Sequence, residues 1–319
     1  MAPELLIVNY HYIREQQPVR GIYNVTPEFF ADQLDAIHAN GFNFVALEDV
    51  HRAICSRSLA GLPPKACLIT FDDGLRESYE LGLSIMDRKG IPGAFYLSSL
   101  TLDRQVVLDV HKFHHVQAFL SNDDIHEQIP PPIWQRLDTI DRAVVTAQYN
   151  WDDYETGLLK YLFNFLLGAD EKDELIRQMF VRCVDNEADF AAGLYMTKEQ
   201  VRELSRRGYL GSHGRMHLPL AALPRAQIAD EVAGSKGAIA AFCGRPVDAI
   251  SYPYGGDSAV NDDVIYEAAR NGFVSGVTMI RGINFAADII NNPLRLRRFD
   301  TNDVFGGKSE HLYKEYFHD

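Results

Sequence analysis

The sequence predicts an α/β protein with parallel strands, in a barrel or a doubly wound sheet, interrupted by a mostly helical insertion. Two observations predict it. Short apolar runs alternate with stretches of helical length over residues 1–100 and again over 195–305, and repeated strand-then-helix units imply crossover connections between parallel strands. Residues 101–195 lose that rhythm yet remain too apolar to be a linker.

Glu4–Tyr10 reads as the first strand. Thr26-Pro27-Glu28 opens a helix: the hydroxyl caps, proline fits the first helical position, and an acid suits the first turn. Asn40-Gly41 stops it. Phe42–Leu47 and Ala66–Phe71 read as strands, Arg76–Lys89 as a helix and Gly93–Leu97 as a strand. Inside the insertion, Lys160–Leu167 and Leu175–Val184 have helical patterns, and His111, His114, His115, Trp134 and Trp151 are concentrated there. The alternation resumes with helix Lys198–Arg207, strand Tyr209–Ser212 and helix Arg225–Phe242. Strand Ala249–Tyr252, helix Asp262–Asn271 and strand Phe273–Met279 follow, with Leu294–Phe299 as a closing strand.

The 319 residues carry 31 Lys+Arg against 44 Asp+Glu, a net charge of −13. Such a chain repels phosphate backbones and anionic lipid, so neither nucleic acid nor a membrane surface is an expected partner. Cys55, Cys67, Cys183 and Cys243 are isolated, which excludes a disulfide framework or a zinc ribbon. Cys67 lies in an apolar strand and is expected to be a buried thiol. The N-terminal MAPELLIVNYHY has no basic leader and reads as a strand, and no apolar run approaches the ~18 residues of a membrane span. The expected location is the cytoplasm.

Three segments each follow a strand: Thr70-Phe71-Asp72-Asp73-Gly74, Ser212-His213-Gly214-Arg215-Met216-His217 and Ser251-Tyr252-Pro253-Tyr254-Gly255. In parallel α/β folds, reactive groups gather at the carboxyl ends of strands. Taken singly, each has a plain reading: Asp-Gly is a turn dipeptide, two histidines occur in polar loops, and an aromatic turn follows many strands. Together, Asp73, His213 and His217 offer two nitrogens and one oxygen, a set that suits Zn²⁺ or a similar divalent ion with open positions. Asp72 would then be free to receive a proton. Tyr252, Pro253 and Tyr254 would wall a groove in which aromatic faces stack on sugar.

In this order, TFDDG, H-x-x-x-H and Pro-Tyr-Gly resemble the motif series of the NodB-type polysaccharide deacetylases. Tyr10-His11, the stretch TPEFFADQLDAIHANGFNFVAL and the stretch AQIADEVAGSKGAIAAFCGRPVDAISYPYG carry the resemblance into connecting sequence. It implies one deacetylase domain over 1–319 with the insertion at 101–195, a distorted parallel (β/α) barrel, and hydrolysis of an N-acyl group on an amino sugar or a glycan precursor. By position, it implies Asp72 as general base, Asp73, His213 and His217 as metal ligands, and the Tyr254 backbone N–H at the oxyanion.

The chain departs from the family at three places. Gly214 stands where Ser or Thr is usual, and the arginine that often orients the base is replaced near Ser251-Tyr252. The late Leu-x-His motif that supplies the acid is absent; the corresponding strand reads Leu294-Arg295-Leu296-Arg297-Arg298-Phe299-Asp300, and arginine donates no proton near neutral pH. His111 from the insertion is the expected acid, with His11 and His115 as alternatives. His11 is also expected at the substrate, and Arg298, together with Asp300, is expected either to orient Asp72 or to bind an anionic group of the substrate. Two other functions remain open at this point, a sugar-binding protein without catalysis and a metallohydrolase of another substrate class.

Overall fold

The structure, a computed structural model, describes residues 3–16, 24–149 and 152–309; Trp151 lies outside them. The described residues fall into two compact units, one of 3–16, 24–104 and 192–309 and one of 105–149 and 152–191.

The first unit is a distorted parallel (β/α) barrel. Its strands are β1 (Glu4–Tyr10), β2 (Asn43–Phe44), β3 (Lys65–Phe71), β4 (Gly93–Leu97), β5 (Leu210–Ser212), β6 (Ala249–Ser251), β7 (Ser275–Val277) and β8 (Phe299–Asp300). They pair in the order β7-β6-β5-β4-β3-β1-β8, with β2 beside β3, and every pairing is parallel. Closure falls to the segment 296–300: Leu296 bridges Val277, and Phe299-Asp300 pairs with Val8-Asn9.

Local sequence explains the elements. Thr26 caps the helix Pro27–Ala39 by accepting from the Phe29 N–H at 3.2 Å, a contact of about 1 kcal/mol. Arg76–Lys89 is helical, with a π turn at Ser78–Leu83. Two expectations need correction. Phe42–Leu47 is not one strand, because Leu47, Val50 and Ala53 recur at helical spacing, and their burial makes Leu47–Ser56 a helix. Leu294–Phe299 is likewise broken: Pro293 fits the start of a 3-10 turn, Pro293–Arg295, and pairing with β1 begins only at Phe299.

Alternation along the strands builds the barrel interior. On β1 and β3, Leu5, Ile7, Ala66 and Leu68 belong to one buried cluster, and Leu6, Val8, Cys67 and Ile69 to another that packs under the helices. The first set continues at the same period into Asn9 and Thr70, which are register partners, and then into His11 and Asp72. An apolar floor thus turns polar at the carboxyl end of the strands. Cys67 is fully buried, and burial pushes its thiol well up.

The second unit is made of helices, among them Asp109–Phe119, Tyr154–Tyr161 and Ala169–Phe180. Phe113 stacks on Phe163 with centroids 4.3 Å apart, and His115 packs against Phe180 and Phe190. Its three buried lysines among the described residues are paired, Lys112 with Glu187 at 3.0 Å, Lys160 with Asp152 at 2.7 Å and Lys172 with Asp109 at 3.5 Å. No helix among the described residues is long and apolar enough to cross a membrane.

Candidate metal centre and its base

Strand ends deliver the site residues. Asp72 follows β3, His213 follows β5, Tyr252 follows β6 and Arg298 directly precedes β8. The turns after the strands are sharp. Asp73 (φ +74°), His217 (φ +59°) and Tyr254 (φ +62°) account for three of the five non-glycine residues with positive φ among those described. Each such conformation costs roughly 1–3 kcal/mol and persists only where its surroundings impose it. Gly74 also has positive φ, and a Cβ there would lie 2.7 Å from the Leu97 Cβ, so this turn requires glycine.

Asp73, His213 and His217 present one ligand atom each within 4.8 Å of one another, and all three residues are buried. The Asp73 Oδ1 lies 3.5 Å from the His213 Nε2 and 3.3 Å from the His217 Nε2. His213 holds its Nδ1 2.7 Å from the Ser251 carbonyl oxygen. Donation to that carbonyl leaves the Nε2 lone pair directed at the group, the arrangement of a metal-bound imidazole. A carboxylate and two neutral imidazoles at this spacing fit a divalent ion, and the donor set suits Zn²⁺. Burial by itself would lower the His213 pKa, but the charges of Asp72 and Asp73 and its hydrogen bonds outweigh it and raise the value.

Asp72 stands outside this set and is held by a different network. Arg298 Nη1 donates to its Oδ1 at 3.0 Å and Nη2 to its Oδ2 at 2.8 Å, while Asn9 Nδ2 donates to Oδ2 at 3.1 Å. The Asn9 amide has only one orientation that works, because its Oδ1 accepts from Arg298 at 2.9 Å and from Thr70 at 3.1 Å. Burial would raise the Asp72 pKa, but the Arg298 charge and hydrogen bonds, with His213 and His11, bring it down to about 2.

The structure revises several expected roles. Arg298 binds no substrate: it is 0 % exposed, and Nε, Nη1 and Nη2 are all engaged, with Thr278 O and Ser251 Oγ as further acceptors at 2.9 Å each. Asp300 does not join it but caps the next turn at Asn302. Tyr252 is no groove wall, since it is fully buried and donates its hydroxyl to the Leu294 carbonyl at 3.0 Å. Pro253 is buried as well and lies against Gly214. Tyr254 does reach the centre, its ring packing edge-on to His217 at 4.9 Å. His11 is half-buried, with Nε2 3.4 Å from Asn9 Nδ2, and its charge acts on Asp72. His111 belongs to the second unit, where it is 2 % exposed and its ring neighbours His114.

Asn9, Thr70 and Ser251 were not foreseen as site residues. Asn9 and Thr70 had a legible signal, being polar residues at the carboxyl ends of otherwise apolar strands.

The chain is similar to known proteins in sequence over part of its length and in fold over nearly all of it. Residues 164–276 match the sequence profile of the polysaccharide deacetylase family, a span that includes His213, His217 and the Tyr252–Gly255 segment. No curated protein matches the chain. Among solved structures, the Streptococcus pyogenes deacetylase PplD in complex with acetate is 18 % identical, with a TM-score of 0.59, over 94 % of this chain and 93 % of that one. IcaB from Ammonifex degensii gives 17 % and 0.58 over 98 % and 96 %. A de-N-acetylase from Aggregatibacter actinomycetemcomitans gives 16 % and 0.60 over 97 % and 99 %. At these identities the likeness establishes the fold.

Proposed function

We propose that the chain is a NodB-type polysaccharide deacetylase, as the polysaccharide deacetylase profile matched over residues 164–276 supports, and that it hydrolyses the N-acyl group of an amino sugar or of a glycan precursor that carries one. Asp73, His213 and His217 hold the divalent ion, Zn²⁺ in first place. The observation that carries the reading is a buried N,N,O set beside a second carboxylate, Asp72, which a guanidinium ties outside it.

When bound, the ion polarises the amide carbonyl and lowers the pKa of water. The chain's own residues do the rest. Asp72, ionised at any working pH, accepts the proton of the attacking water on a lone pair that Arg298 and Asn9 leave open. Its low basicity is the cost of that permanent readiness. The backbone N–H of Tyr254 donates to the oxygen that gains charge. His11 stands on the Asp72 side of the site and takes the acid's role, returning a proton to the departing amine. A sugar-binding protein without catalysis would need neither the base nor the guanidinium behind it.

The test is acetate release from N-acetylated amino sugars, free and nucleotide- or lipid-linked, by the Zn²⁺-loaded chain and by its Asp72→Asn variant. Release by the native chain alone is expected. Metal-loaded native protein that frees no acyl group from any of these, or frees it equally well as Asp72→Asn, would overturn the reading.

A further inference from the structure

The loop between the two histidines has a shape that its own sequence does not secure. His217 is held at φ +59° and Gly214 at φ +70°, and a short loop with such a backbone relaxes unless something outside it holds it. The helix Arg225–Cys243 supplies that hold. Glu231 and Ser235, one turn apart on its buried face beside Ile228, Val232 and Ile239, are 4 % and 0 % exposed. Glu231 Oε2 accepts from the backbone N–H groups of Arg215 and Met216, each at 2.9 Å. Ser235 Oγ lies 2.7 Å from the Gly214 carbonyl oxygen and 2.7 Å from Ser212 Oγ. A Cβ at position 214 would come within 3.3 Å of that Glu231 oxygen, so glycine there lets the carboxylate approach.

Placing a carboxylate on the buried face of a helix is costly unless it is fully hydrogen-bonded. Here its bonds go to the backbone between two metal ligands. Charge-assisted bonds of this kind are about twice as strong as neutral ones. We propose that Glu231, assisted by Ser235, is a positioning residue for the metal centre: it fixes the turn between His213 and His217 so that both imidazole Nε2 atoms close on Asp73. The inference rests on the metal-binding reading above. Glu231 touches neither ion nor substrate, and it acts through the loop.

The test is Zn²⁺ affinity of the full chain, by competition with a chromophoric chelator, for the native protein and for Glu231→Ala, Glu231→Gln and Ser235→Ala. Unfolding of each metal-free protein is followed alongside. Glu231→Ala should weaken Zn²⁺ binding roughly ten- to a hundredfold, the effect usual for groups that orient metal ligands. Glu231→Gln keeps an acceptor oxygen and should fall between the two. A residue that only supports the fold would lower metal-free stability and leave the affinity of the folded protein unchanged. Should Glu231→Ala fail to fold, Glu231→Gln and Ser235→Ala decide. Native protein that binds Zn²⁺ tightly, with folded variants that bind it equally well, overturns the positioning role and leaves the metal centre standing. Native protein that binds no Zn²⁺ overturns both.

Discussion

Arg298 grips both oxygens of Asp72, at 3.0 and 2.8 Å, with the arginine wholly buried and the aspartate 2 % exposed. The pair joins the end of β3 to the segment that closes the barrel, so one contact serves both fold and chemistry. The arginine that the motif resemblance leads one to expect near Ser251 is absent, yet the Ser251 hydroxyl lies 2.9 Å from this guanidinium. The orienting charge comes instead from Arg298, just before β8, and grips the Asp72 carboxylate.

Removing one partner of a buried ion pair leaves the other charged and unpaired, at a cost of roughly 3–5 kcal/mol. Arg298→Met should lose about that much in urea unfolding of the metal-free protein. Arg298→Lys should recover only part of it, since an ammonium cannot make the two-pronged contact. A loss below about 1 kcal/mol in Arg298→Met would show that the pair is not the brace described.

The pH dependence follows from the sign of the Asp72 shift. Its folded pKa, about 2, lies below the ordinary 3.8. A depressed carboxylate contributes stability that is present above the unfolded value and lost as pH falls through the folded one. Metal-free native protein should therefore lose a stability increment as pH falls from about 4 to about 2. Asp72→Asn should lack that increment when unfolding free energy is measured against pH. In Arg298→Met that increment should shrink or reverse, because without the guanidinium burial pulls the folded pKa back up towards or above its unfolded value.

Asp72→Asn should take up metal as the native chain does, because Asp72 lies outside the ligand set. Its turnover should fall by roughly 10²–10⁴-fold, the usual contribution of a positioned base. Metal content and kcat measured on one preparation separate the two effects, and a joint loss of both would assign Asp72 to the ligands.

His11→Gln and His111→Ala distinguish the two proposed acids. With His11 as donor, His11→Gln should lower turnover by a similar factor and flatten the alkaline limb of its pH profile. His111→Ala should leave rate and profile unchanged at every pH. The opposite pattern would return the role to the second unit.

Much of the barrel was legible because its signals are local. The Thr26-Pro27 cap, the Asn40-Gly41 stop and the apolar runs of β1, β3 and β4 depend on neighbours within a few residues. The closing strand was not legible. Residues 294–300 pair with two strands distant in sequence, and only that pairing determines which of them are extended. At the site, the convergence of the two histidines and Asp73 was legible, because each follows a strand and their donor chemistry suits one cation. Arg298 could not be resolved between orienting the base and binding substrate, since that depends on whether its side chain is buried, and its partners Asn9, Thr70 and Ser251 lie on three other strands. Tyr252 misled for the same reason: an aromatic residue after a strand can face a groove or the core, and here Leu294 captures its hydroxyl.

The most direct measurement is the metal content of the purified full chain after dialysis against Zn²⁺, by elemental analysis, beside His213→Ala and His217→Ala. One ion per chain in the native protein and almost none in either variant is the predicted result. A native protein that retains no metal, or variants that retain as much as it does, would contradict the convergence of Asp73, His213 and His217 on a single ion.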